Sequence, residues 1–183
     1  MSKFQFTVGP WNVHTGADSY GPETRRAIDL ETKFRKFSEL GFSAVQFHDD
    51  DVVPNMNALT EEQIIEEARK VKAMLDKYSL KAEFVAPRLW MDPHTADGGF
   101  TSTSKEDREF AMWRAYRSID IARALDTDLV VLWLAREGTL CAESKSAVTA
   151  TKQIVEAINN MLRYDDTIRV CIEPKPNEPR GAM

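Results

Sequence analysis

Stretches with strand character alternate with helical periods along this chain, and that alternation constrains the fold more than any other feature. Residues 4–9, FQFTVG, read as a short strand. Residues 31–40, ETKFRKFSEL, predict a helix with Phe34, Phe37 and Leu40 on one side and Gly41 as its stop. SAVQF (43–47) is a second strand. Thr60-Glu61-Glu62-Gln63 is a capping box, and Ile64, Ala68, Val71, Leu75 and Tyr78 keep helical spacing after it. KAEFVA (81–86) is a third strand. Thr103-Ser104-Lys105-Glu106 is a second capping box, opening a helix to about Leu125. DLVVLW (128–133) is a fourth strand, apolar throughout, as a strand covered on both faces is. A helix over 145–163 and a fifth strand, IRVCIE (168–173), complete the pattern. Strands separated by helices of this length pair in parallel through βαβ units, which makes the chain α/β.

A length of 183 residues suits one domain with a sizeable core. Acids and bases are mixed and the formal charge is −5, so no basic surface for nucleic acid is expected. No run approaches the roughly 18 apolar residues of a membrane span. The N-terminus, MSKFQFTVGPW, lacks the apolar centre of a signal peptide. Cys141 and Cys171 are too few for a disulfide framework, which points to a cytoplasmic protein with reduced thiols. Cys171, inside a strand, is expected to be buried and inert.

Polar and aromatic residues gather where the strands end: Trp11, His48 with Asp51, Trp90, Trp133, and Glu173 with Lys175. The carboxyl ends of parallel strands form the ligand face of α/β folds. In FHDDD (47–51) a carboxylate that accepts from one imidazole nitrogen fixes the tautomer and leaves the other nitrogen to move a proton. A solvated acidic loop with an incidental histidine gives the same letters. In IEPKPNEPRG (172–181), Glu173 and Lys175 lie two apart after a strand and share a face if the strand continues. A proline-stiffened loop presenting Glu, Lys and Glu suits a divalent metal with a polarised oxygen, or is a solvated surface loop. Trp11, Trp90 and Trp133 suit apolar walls that stack on a sugar ring or, equally, ordinary core packing, whereas Trp113, within a helix, reads as core. His14 and His94 lack paired ligand spacing and read as loop residues. Asp97-Gly98-Gly99 is a turn signal. The chain has no glycine-rich phosphate loop, CxxC zinc pattern or GxSxG elbow.

FTVGPWNVHTGADSYGPETRRAIDL, VQFHDDDVVP, DGGFTS, VVLWLAREG and IEPKPNEPRG, in this order, closely resemble the N-terminal half of D-xylose isomerase of the shorter, actinobacterial type. The resemblance covers essentially the whole chain and implies a TIM-barrel (β/α)8 fold, of which this chain holds about the first five strands and four helices. It implies aldose–ketose isomerisation of D-xylose, and of D-glucose, by a metal-assisted hydride shift between C2 and C1. Two divalent metals (Mg²⁺, Mn²⁺ or Co²⁺) serve that family, and its members assemble as homo-oligomers. Carried over by motif, His48 resembles the histidine that assists ring opening, and Asp51 its orienting acid. Lys175 resembles the lysine that bonds the substrate oxygen near C1, and Glu173 resembles a metal ligand. Trp11 and Trp133 resemble the walls of the sugar site, and Tyr20 the aromatic that reaches a neighbouring subunit.

The sequence departs from that pattern at Ala86, Arg88 and Trp90, which stand in place of threonine, asparagine and phenylalanine. LAREGTL replaces GGREGAE beyond Trp133. One recognisable carboxylate ligand cannot hold a hard dication that wants about six oxygens. Nor do five strands close a barrel that takes eight strands and ~250 residues. The expectation is therefore the N-terminal part of a xylose-isomerase-like barrel, inactive by itself. Two alternatives stand beside it. One is a non-catalytic half-barrel that self-associates through open sheet edges. The other is a different sugar isomerase or epimerase on the same barrel.

Overall fold

A computed structural model describes residues 4–17, 21–139 and 141–174. Its strands β1 (Thr7–Val8), β2 (Ala44–His48), β3 (Lys81–Ala86), β4 (Leu129–Trp133) and β5 (Arg169–Glu173) form one sheet. Helix α1 (Leu30–Glu39) joins β1 to β2; the single turn α2 (Asp49–Val52) and α3 (Glu61–Lys77) join β2 to β3. Helices α4 (Lys105–Ala124) and α5 (Ala147–Tyr164) make the remaining two crossovers. All pairings are parallel, and the strands lie side by side in chain order, β1-β2-β3-β4-β5. A doubly wound sheet reverses its strand order and opens a crevice there. This sheet never reverses, so it is an arc of a TIM barrel.

Local chemistry sets the helix starts. Asp29 caps α1, its Oδ1 accepting from Thr32 N–H at 2.8 Å. The Thr60 capping box forms as expected, with Gln63 Oε1 accepting from Thr60 N–H at 2.8 Å. The second box does not. Asp97 Oδ2 holds both the N–H and the hydroxyl of Thr103, so Ser104 becomes the cap of α4 and accepts from Asp107 N–H. Strand β1 is shorter than 4–9, and Phe4 and Phe6 outside it are exposed.

The core lies between the sheet and the helices. Val45 and Phe47 on β2 and Val130 and Leu132 on β4 point into it, as do Ile64, Ala68, Val71 and Leu75 of α3. Phe34 of α1 meets Phe47 edge to face, with ring centroids 5.9 Å apart. Each such side chain contributes about 1.5–3 kcal/mol on leaving water. The alternate residues of β4, Leu129, Val131 and Trp133, are only partly buried. Strand β4 is thus covered by helices on one face, while its other face lines the inner side of the arc; its apolar run does not mark two helix-covered faces.

Cys171 corrects another expectation. It is exposed, because β5 pairs only with β4 among the described residues and Cys171 sits on the strand face opposite the core-packed Val170. Cys141 is exposed as well. Both thiols are therefore expected to react with an aromatic disulfide reagent at neutral pH without denaturant. A single reactive thiol in native buffer would contradict this placement of Cys171. No helix among the described residues is long and apolar enough to cross a membrane.

Candidate functional site

Strand β2 ends at His48, and the chain turns at once into α2, so the three acids of FHDDD occupy one helical turn. Side chains about 100° apart around a turn cannot share one environment, and these three have separate partners. Asp49 is fully buried and forms a forked pair with Arg114 of α4, at 2.7 and 2.8 Å. It also accepts from Asp50 N–H at 2.8 Å and Arg88 N–H at 3.2 Å. Asp50 accepts from Arg88 Nε at 2.7 Å. Burial, joined by the neighbouring Asp49 charge, pushes the Asp50 carboxyl up from its ordinary value.

Asp51 turns back on His48. Its Oδ2 accepts from the His48 backbone N–H at 3.0 Å and lies 3.2 Å from His48 Nδ1. Burial opposes ionisation, but the His48 contacts and the Arg88 charge outweigh it and hold this carboxyl below its usual value. Both members of the pair are largely buried, with side chains 15 and 18 % exposed. The bland reading of FHDDD as a solvated acidic loop does not describe this arrangement.

Aromatic rings continue the site across the strand ends. Trp11 follows β1 and lies against His48, with ring centroids 4.3 Å apart. Trp90 follows β3 and also meets His48, at 5.2 Å and edge on. Trp133, the last residue of β4, meets Trp90 at 4.3 Å, nearly perpendicular. The four rings form one continuous row contributed by four strands. Glu173 ends β5 as the register partner of Trp133, and its side chain is exposed. Lys175 and Tyr20 lie outside the described residues.

Arg88 is the member that sequence reasoning did not count as a site residue, although it is one of the three departures from the resembled pattern. It bonds Asp50, approaches Asp51 at 3.3 Å, places Nη2 2.8 Å from His48 Nδ1 and lies 5.8 Å over the Trp90 ring. Glu137 was missed too. Its buried carboxylate accepts from Gly99, Phe100 and Thr101 N–H at 2.9–3.0 Å, which fastens the 97–103 loop near the site. The only advance signal was an acid after an apolar strand, which is common. Of the residues set aside, His14 is exposed, and His94 is exposed and bonded to Asp92; Trp113 is partly buried against the core.

The described residues do not fit a divalent-metal site. No group of three or more His, Cys, Asp or Glu among them is placed to hold an ion. Asp49 is taken by Arg114, Asp50 and Asp51 by Arg88, and Glu173 is one carboxylate where about six oxygens are needed. A groove of 690 Å³ lies elsewhere, between α4 and α5, with Met112, Trp113 and Tyr116 among its lining. We place the functional site at the strand ends because oriented polar groups converge there, while the charges around the groove are of mixed sign.

Fold and site together define a TIM-barrel arc carrying its side-chain constellation on the carboxyl ends of its strands. The model of the family described as xylose isomerase-like TIM barrel matches residues 34–181, and the chain belongs to that family. Among solved structures it is similar to a D-tagatose 3-epimerase-like protein, at 16% identity and TM-score 0.66 over 98% of this chain and 56% of that one. It is similar to a 3-keto-D-glucoside 4-epimerase from E. coli, at 18% identity and TM-score 0.61 over 93% and 57%. A D-psicose 3-epimerase from Clostridium cellulolyticum H10, solved with D-tagatose, matches at 14% identity and TM-score 0.58 over 82% and 48%. These likenesses concern the fold. The chain spans about half the length of each of these proteins.

Proposed function

We propose that this chain supplies the sugar-binding and proton-handling part of an aldose–ketose isomerase, with D-xylose to D-xylulose as its reaction and D-glucose as a second substrate. The observation that carries this reading is the row Trp11–His48–Trp90–Trp133, drawn from four separate strand ends. Indole faces exclude water and stack on the apolar side of a sugar ring, while one imidazole edge between them meets a sugar oxygen. Asp51 and Arg88 orient that imidazole from behind. Substrate would lie along the indole row with its ring oxygen toward His48, and ring opening is the step that His48 assists. By the family resemblance, Glu173, which ends β5, and Lys175 of the EPKP motif are assigned to the same site. Divalent metals serve the resembled isomerases, but the described residues supply too few ligands for one.

A second reading is favoured by the exposed end of the sheet. Ile172 on β5 is 50% exposed, and the β5 edge is unpaired among the described residues. A second copy adding there would make a self-associating scaffold without activity. An epimerase on the same barrel is the third reading. Purified chain, alone and mixed with the C-terminal half of a xylose isomerase barrel, is to be incubated with D-xylose, D-glucose and D-fructose, with and without Mg²⁺, Mn²⁺ or Co²⁺, and the sugars separated by chromatography. D-Xylulose formation supports the isomerase, and a new epimeric ketose from D-fructose replaces it with the epimerase. No conversion either alone or in the mixture, by a folded chain that light scattering finds dimeric, replaces both with the scaffold.

A further inference from the structure

Two side chains make opposite demands on His48 Nδ1. Asp51 Oδ2 lies 3.2 Å away and can only accept, so it calls for a proton on Nδ1. Arg88 Nη2 lies 2.8 Å away and can only donate, so it calls for a bare lone pair. One ring nitrogen has one in-plane direction and cannot satisfy both. The Arg88 contact is the shorter, and it is charge-assisted. Arg88 is not free to withdraw, because Asp50 holds its Nε at 2.7 Å and the Trp90 ring lies beneath its guanidinium. Asp51 does not depend on the ring, since it keeps the His48 backbone N–H at 3.0 Å and Arg88 itself at 3.3 Å.

We propose that Arg88 is a positioning residue that holds neutral His48 with its proton on Nε2, so that the ring presents an N–H donor toward the ligand. This rests on the reading of the strand-end row as a sugar site and changes the part His48 plays in it. An imidazole oriented by a carboxylate alone carries its proton on Nδ1 and offers Nε2 as an acceptor for a hydroxyl proton. With Arg88 at Nδ1 the polarity reverses. His48 then polarises a ring or carbonyl oxygen by donating a hydrogen bond and stays neutral, and the hydroxyl proton must go to another group. The arrangement follows from the arginine at this position, where the resembled pattern has asparagine.

The tautomer can be read without substrate. Long-range ¹H–¹⁵N correlation spectra of the labelled protein resolve the imidazole nitrogens, and the chain has 3 histidines. His48 is assigned by the signal lost in His48→Asn. At about pH 8.5, above the ordinary histidine range, wild type is expected to show the Nε2–H pattern. Arg88→Asn is expected to shift His48 to Nδ1–H, donated to Asp51, whereas Asp51→Asn leaves Nε2–H in place. Arg88→Met, which keeps an aliphatic stem against Trp90, replaces the asparagine variant if that one does not fold. An Nδ1–H pattern in wild type overturns the proposal, and so does Nε2–H that persists without Arg88. Turnover with the wrong tautomer defeats this inference alone; the expected tautomer without turnover defeats only the isomerase reading.

Discussion

Arg114→Met is expected to lower folding stability by about 3–5 kcal/mol, because it strands the Asp49 carboxylate in a site with no access to water. Asp49 would still accept from two backbone N–H groups and Ser118, but those are dipoles and cannot replace a guanidinium forked at 2.7 and 2.8 Å. The loss is not the worth of the ion pair. Much of it is the cost of leaving one charge buried and alone, so the double variant Asp49→Asn with Arg114→Met is expected to recover most of it. The asparagine keeps an oxygen for the Asp50 and Arg88 N–H groups and carries no charge. Urea unfolding tests both: the midpoint should fall sharply in the single variant at unchanged slope and return in the double. A single variant within 1 kcal/mol of wild type, an effect of surface size, would mean that α2 and α4 are held together by something other than this pair.

In an enzyme whose barrel is completed by a second half supplied in trans, His48→Ala is expected to lower sugar turnover by about 10²-fold or more, the usual effect of removing a positioned donor or proton-handling group. On the proposed reading, in which the indoles hold the sugar ring, the loss should fall mainly on kcat. Steady-state rates on D-xylose measure it, with circular dichroism confirming that the variant folds. Unchanged turnover would remove His48 from the chemistry while leaving Trp11, Trp90 and Trp133 as a binding surface. The two predictions separate the acids of FHDDD by role. Asp49 is held to the fold by α4, and Asp51 is held to His48, although they stand two residues apart.

The fold class was legible because it depends on periodicities, which are local. A strand is an apolar run of strand length, and the helix α3 shows its stripe at Ile64, Ala68, Val71 and Leu75 wherever it packs. The second capping box was misread by one residue because Thr103 is claimed by Asp97, six positions earlier, and a pattern of four residues does not contain that competitor. Cys171 was misjudged for a related reason. Membership of a strand is visible in the letters, but whether another layer covers that face is not.

In the candidate site, the sequence located the strand-end residues, and the family resemblance paired His48 with Asp51, which one turn of helix brings together in the structure. It could not assign partners across the sheet. Arg88 is 40 residues from His48 and Arg114 is 65 from Asp49, and both reach FHDDD only because β3 lies beside β2 and α4 packs over α2. By itself, then, the sequence determined the alternation of strands and helices and the strand-end position of Trp11, His48, Trp90, Trp133 and Glu173. Only the tertiary structure decided which acid is buried, which arginine answers it, and which proton donor stands at His48 Nδ1. Hydrogen bonds act over about 3 Å, and residues distant in sequence come that close only after the sheet has assembled.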